Sequence, residues 1–202
     1  MLKVGLTGSI AVGKSFVCGV FSELGAAVLD ADQSARDVVA KDTVGLRKIV
    51  GEFGPGILKE DGTLDREIMG SIVFADEQKR QLLNSIVHPL VFEKQNRWIS
   101  EMENKDPNGI AIVDAALMIE SGGFRRFDKL IVVWCEPDIQ LKRLMLRNNL
   151  SESEALARIN AQMPQEEKKG FADYLIDTSK GFEESRRQTE SVFEELKEIV
   201  RS

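Results

Sequence analysis

Gly8-Ser9-Ile10-Ala11-Val12-Gly13-Lys14-Ser15 decides how this chain is read. The octet fits G-x-x-x-x-G-K-[ST] at every fixed position. Glycines at those places let a backbone curl until its N–H groups point at phosphate oxygens. A helix starting at the end of the loop adds its positive pole. A lysine placed like Lys14 reaches the outer phosphates of a nucleoside triphosphate, and a hydroxyl placed like Ser15 suits magnesium. Gly8, Ala11, Val12, Gly13, Lys14, Ser15 and Phe16 are therefore the candidate nucleotide-binding residues, with ATP and Mg2+ the expected ligands.

The flanks agree with the loop. Residues 2–6 read as a short buried strand, and residues 15–24 as a helix with Val17, Val20, Phe21 and Leu24 at helical spacing, stopped by Gly25. Further strands are expected at 26–29, closed by Asp30, at 110–113, ending on Asp114, at 129–134 and at 174–176. Helical patterns cover 33–39, 65–74, 77–85, 90–104, 138–147, 151–162 and 182–200, and Pro164 interrupts the pattern after 151–162. Strands alternating with helices predict a parallel sheet with helices on both faces. Residues 41–108 show no convincing strand, carry turn signals at Gly54-Pro55-Gly56 and Asp61-Gly62, and read as a helical insertion. His88-Pro89 reads as the start of the helix at 90–104, with Pro89 in its first position, a structural rather than a catalytic use of the histidine. Asp42-Thr43-Val44-Gly45 has the DxxG form of GTP switches, but it follows no strand and has no NKxD partner, so switching on GTP is not expected.

Composition sets outer limits. The chain has 202 residues and a net charge of -6, so it suits one α/β domain with an inserted lobe and makes a poor general binder of nucleic acid. Cys18 and Cys135 form no CxxC pair and His88 is the lone histidine, which argues against a Cys/His zinc site. No apolar run reaches the roughly 20 residues a membrane helix needs. A cytoplasmic protein without a membrane or nucleic-acid partner is expected, its oligomeric state left open.

Ligands of open parallel sheets bind beyond the carboxyl ends of the strands. Asp30 and Asp32 follow the second strand, and Asp114 ends the third. Asp32 has two readings: a cap for a helix starting at Gln33, or a base. A phosphate acceptor needs no base, whereas an alcohol must lose a proton as it attacks, so an acid here favours an alcohol. Arg36 lies one helical turn beyond and either holds an anionic part of the substrate or is solvated. Asp114 is placed to organise magnesium or the acceptor, with Glu120 a weaker candidate. Lys142, Arg143 and Arg147 share one helix and Arg158 follows on the next. They supply the local cations that an acidic phosphotransferase needs, in a helix pair suited to a lid, unless they merely pair with Glu152 and Glu154.

In this order, the phosphate loop, Asp30-Ala31-Asp32 with Ala35-Arg36, His88-Pro89, Asp114 with Leu117 and Glu120, Gln140 with Arg143 and Arg147, Glu154-Ala155, Arg158-Ile159, Gln162-Met163 and Ala172-Asp173 resemble the dephospho-CoA kinases over almost the whole chain. The resemblance implies a P-loop NTPase-type core (about 1–31, 109–139 and 171–202), a helical lobe for the CoA-like substrate (about 32–108) and a helical lid (about 140–170). It implies transfer of the ATP γ-phosphate to the ribose 3′-hydroxyl of dephospho-CoA, the last step of coenzyme A synthesis. It makes Asp32 the base, Lys14 the phosphate clamp and Arg143 the lid arginine, and adds Arg147 to the nucleotide contacts. Arg36, His88, Asp114 and Arg158 join Asp32 at the substrate, while Ser15 and Asp114 serve the metal. Ser9 and Ala11 stand where the family usually has glycine; as spacer positions they are expected to leave the cradle intact. Ala116 replaces a common proline, and Thr178-Ser179-Lys180 replaces an Asn then Ser-Gly pattern in a loop expected beside the adenine. Other readings are a kinase of a nucleoside or shikimate-like alcohol, and a non-catalytic nucleotide-binding regulator.

Overall fold

The computed structural model describes residues 1–201. In chain order the elements are β1 (Leu2–Thr7), α1 (Lys14–Glu23), β2 (Ala27–Asp30), α2 (Ala31–Asp37), α3 (Val44–Phe53), α4 (Arg66–Ala75), α5 (Glu77–Lys105), β3 (Ile110–Asp114), β4 (Lys129–Trp134), α6 (Pro137–Asn148), α7 (Glu152–Asn160), α8 (Gln165–Lys169), β5 (Tyr174–Asp177) and α9 (Phe182–Arg201). Met1–Asp30 and the chain from Glu101 onward make one unit, and Ala31–Ser100 makes a second.

The first unit holds the five-stranded sheet, in the order β2-β3-β1-β4-β5. All pairings are parallel. Val4 and Leu6 of the central strand are fully buried, as expected of a parallel strand covered on both faces. Register brings Leu6 opposite Asp114 on one side and Ile131 on the other, and Asp30 opposite Asp114. The strands thus deliver their carboxyl ends, and the loop after β1, to one edge. One core joins Val17 and Phe21 of α1 and Val192, Phe193 and Leu196 of α9 to the sheet residues Val4, Ile112, Ile131 and Ile176. Each such burial contributes about 1.5–3 kcal/mol. The buried hydroxyls of Ser185 and Thr189 in α9 are satisfied by the carbonyls one turn back, Gly181 and Ser185, both at 2.7 Å.

The second unit has its own core of Val39, Ile49, Ile57 and Met69, with Leu83, Ile86 and Val87 packed against it. Helix α3 has no counterpart in the sequence reading. Thr43 caps it by accepting the Leu46 N–H at 3.1 Å. A Cβ at residue 45 would stand 2.1 Å from the Val38 carbonyl oxygen, which leaves room only for glycine. The DxxG tetrapeptide is therefore a helix start. Asp65 caps α4 through the N–H groups of Glu67 and Ile68.

The expected break at His88-Pro89 is absent. Helix α5 runs from Glu77 to Lys105 with Pro89 inside it. An interior proline forfeits one backbone bond and costs about 3 kcal/mol. Apolar residues on both sides offset that loss, since Leu83, Ile86 and Val87 pack before the proline and Val91 and Ile99 are buried after it. Helix α2 also starts earlier than expected, so Asp32 lies within its first turn and does not cap a helix beginning at Gln33. Among the described residues no helix is long and apolar enough to cross a membrane.

Candidate active site

The loop after β1 presses on the sheet. A Cβ on residue 8 would lie 2.4 Å from the Val133 carbonyl oxygen, so glycine is required there. Gly13 closes the loop with φ 94, and α1 starts without a side-chain cap. The N–H groups of Ala11, Gly13, Lys14 and Ser15 meet no acceptor among the described residues, which leaves a nest of donors at a positive helix end. Ser9 Oγ is buried without a partner among the described residues.

Ala11 corrects the sequence reading. It is no indifferent spacer, because its φ of 62 puts it in the left-handed region. For an L-residue that costs roughly 1–2 kcal/mol, which glycine avoids. The cradle survives because other groups hold it. Gln140 Nε2 donates to the Ile10 carbonyl at 2.8 Å, and the Ile10 N–H donates to Gln162 Oε1 at 2.7 Å. Thr178 donates its hydroxyl to the Val12 carbonyl at 2.6 Å.

Lys14 Nζ stands 2.7 Å from Asp114 Oδ1 at the end of β3, with both side chains largely buried. Cys18 follows one turn later, and burial together with the Asp114 carboxylate pushes its thiol well above the ordinary value. Burial raises the Cys135 thiol as well. Among the described residues no group of His, Cys, Asp or Glu is large enough to hold a metal by itself. The exposed Ser15 hydroxyl and the Asp114 carboxylate are hard oxygen donors that fit magnesium, an ion that draws most of its ligands from phosphates and water.

Beside the loop opens a cavity of about 520 Å³, lined among others by Phe16, Arg143, Leu146, Arg147, Thr178 and Phe182. The Phe16 and Phe182 rings are 4.8 Å apart. An apolar cleft with arginines at its edge suits a flat heterocycle. Arg143 is anchored by Thr178, its guanidinium donating to the hydroxyl at 2.9 Å and to the carbonyl at 2.8 Å. Arg147 is exposed and bonded to Asn148.

A family model described as dephospho-CoA kinase matches residues 2–184 of the chain. A dephospho-CoA kinase from Listeria innocua is 46% identical over 187 residues, 92% of each chain. The chain belongs to the dephospho-CoA kinase family. A second such kinase, from Geobacillus kaustophilus, is 47% identical over 189 residues, covering 93% of this chain and 92% of its own. Among solved structures, the dephospho-CoA kinase from Campylobacter jejuni has a TM-score of 0.73 at 29% identity over 97% of each chain. A Thermus thermophilus protein reaches a TM-score of 0.81 at 28% identity, with 96% of this chain and 97% of its own covered. The expected parallel sheet flanked by helices is thus both the observed fold and the family's.

Of the candidate residues, the structure gathers Gly8, Ala11, Val12, Gly13, Lys14, Ser15, Phe16, Asp114, Arg143 and Arg147 in the first unit around the loop and its cavity. Arg158 stands exposed on α7, where Glu154 is held low chiefly by the Ser151 hydroxyl and N–H of a capping box and only slightly by Arg158. Asp32 and Arg36 occupy exposed positions in α2, and His88 is exposed in α5 with its ring 6.1 Å from that of Phe92. These three belong to the second unit.

Sequence reading gave no role to Gln140 or Gln162 and overlooked Gln165 and Lys168. Lys168 is fully buried in α8, donating to the Ala116 carbonyl at 2.9 Å and pairing with Glu120 at 2.8 Å. Thr7 donates to the same carbonyl at 3.2 Å. The segment after Asp114 is thereby tied to α8.

Proposed function

We propose that this kinase transfers the γ-phosphoryl group of ATP to the ribose 3′-hydroxyl of dephospho-CoA, giving coenzyme A and ADP. The observation that carries the reading is a family match spanning an intact phosphate loop, the Lys14–Asp114 pair and the helix of Arg143. In this reading the N–H groups of Ala11, Gly13, Lys14 and Ser15 bind the phosphates, and the cavity beside Phe182 and Arg147 takes the adenine. The acceptor oxygen attacks the γ-phosphorus, Asp32 takes its proton, and the bond to the β,γ-bridging oxygen breaks. Lys14 and Arg143 balance the charge spreading over the moving group. Ser15 and Asp114 would hold magnesium, which supplies further charge neutralisation at the phosphates. Arg36, His88 and Arg158 serve the anionic acceptor, residues 32–108 forming its lobe and residues 140–170 the lid. The free thiols support a reducing, cytoplasmic setting.

The test is ADP release from Mg-ATP by purified protein, with dephospho-CoA, adenosine, AMP or shikimate as acceptor. Release with dephospho-CoA alone, and a product of coenzyme A mass, is expected. Release with another acceptor only would reassign the substrate, and no release despite ATP binding would refute the kinase reading.

A further inference from the structure

The phosphate loop bends through an alanine in a conformation that favours glycine, with φ 62 at Ala11. Such a residue persists only where its surroundings over-determine it. Here the residues on both sides of it are held from outside the loop. Ile10 is gripped at both polar atoms, its N–H by Gln162 at 2.7 Å and its carbonyl by Gln140 at 2.8 Å. The carbonyl of Val12 takes the Thr178 hydroxyl. In a trans peptide the C=O and the following N–H point in opposite directions. Donors that fix the Ile10 and Val12 carbonyls therefore aim the N–H groups of Ala11 and Gly13 to the other side, as phosphate donors.

Gln140 is itself secured. It is 2% exposed, and its Oε1 accepts from Gln165 Nε2 at 2.9 Å. Gln165 in turn bonds both the N–H and the carbonyl of Cys135, each at 3.1 Å. A chain of amides thus runs from the end of β4 through α8 and α6 to the apex of the loop.

We propose that Gln140 and Gln162 are positioning residues that latch the strained Ala11 turn into its phosphate-ready shape, so that the helices after β4 and the loop act as one device. The latch rests on the kinase reading only for the identity of its ligand. Gln162→Met keeps the side chain's length and removes the acceptor, and Gln140→Met does the same for the donor. In Gln162→Met without nucleotide, hydrogen exchange at the Ile10 amide should quicken at least about tenfold, the amides of Val4 and Leu6 keeping their protection. Affinity for Mg-ATP and for inorganic tripolyphosphate should fall about 5- to 10-fold, the worth of one net hydrogen bond. Adding Ala11→Gly should restore most of that affinity, because glycine needs no latch to adopt the turn.

Unchanged exchange at Ile10, unchanged phosphate affinity, or a double variant as weak as Gln162→Met would each overturn the proposal. If the unaltered protein bound neither ligand, the kinase reading would fall, whereas the exchange measurement would still decide the latch.

Discussion

Replacing Glu120 by alanine should be among the most damaging substitutions outside the loop. Its carboxylate stands 2.8 Å from the ammonium of Lys168, whose side chain is fully buried while that of Glu120 is 23% exposed. At that separation and an effective dielectric constant of about 20 the attraction is roughly 6 kcal/mol, an upper bound before desolvation. Removing one partner of a buried pair costs about 3–5 kcal/mol, because the remaining charge stays unpaired. Water admitted through the exposed edge of Glu120 recovers part of this, so we expect about 3 kcal/mol for Glu120→Ala. Lys168→Met should cost only about 1 kcal/mol, since the apolar chain fills the site and Ala116 keeps the Thr7 hydroxyl. The double variant should resemble Lys168→Met, giving a coupling of about 3 kcal/mol. The assay is urea unfolding followed by Trp134 fluorescence in a Trp98→Phe background, which reports on the sheet-bearing unit through β4. A loss below about 1 kcal/mol for Glu120→Ala, or strict additivity, would refute the reasoning.

Four further outcomes are expected. Gly8→Ala drives a Cβ into a backbone oxygen at 2.4 Å, so triphosphate affinity should drop by more than about tenfold while circular dichroism still shows the sheet and helices; unaltered binding would contradict the close approach. Lys14→Ala should lower kcat/KM for ATP by about a hundredfold or more, and unchanged kinetics would undermine the phosphate-loop reading. Asp32→Asn should leave ATP affinity within about twofold and cut turnover about 10²- to 10⁴-fold; near-normal turnover would remove Asp32 from the role of base. Native Cys18 and Cys135 should alkylate at least about tenfold more slowly than the unfolded chain at pH 8, because their raised thiols stay protonated. The unfolded chain loses those protons first, so stability should decline as pH climbs past the ordinary thiol value of 9.0. Equal alkylation rates would show that the thiols are not shielded.

Much of the core was legible because its signals are local. The phosphate loop is one contiguous pattern, and the strands of the sheet are short apolar runs ended by acids or turns. The latch was not legible, since Gln140, Gln162 and Gln165 reach their partners across long stretches of chain and carry no periodicity. Lys168 sits in Gln165-Glu166-Glu167-Lys168-Lys169, a run whose composition reads as solvated, and only tertiary packing buries it. Pro89 misled because a sound local rule yielded to apolar contacts along α5. Ala11 misled for the opposite reason, since spacing alone says nothing about φ.

The place of β1 in the sheet bears on the order in which the molecule assembles. Its partners are remote, Leu2 lying beside Ile110 and Val4 beside Lys129. The intervening Ala31–Ser100 unit closes its core from nearer neighbours. Loop closure delays remote pairings, so this unit should condense first and the sheet later. The nucleotide site, built on the carboxyl end of β1, would then be among the last features acquired. Its protection by ATP during refolding should lag behind the gain of helix, and simultaneous appearance would contradict this order.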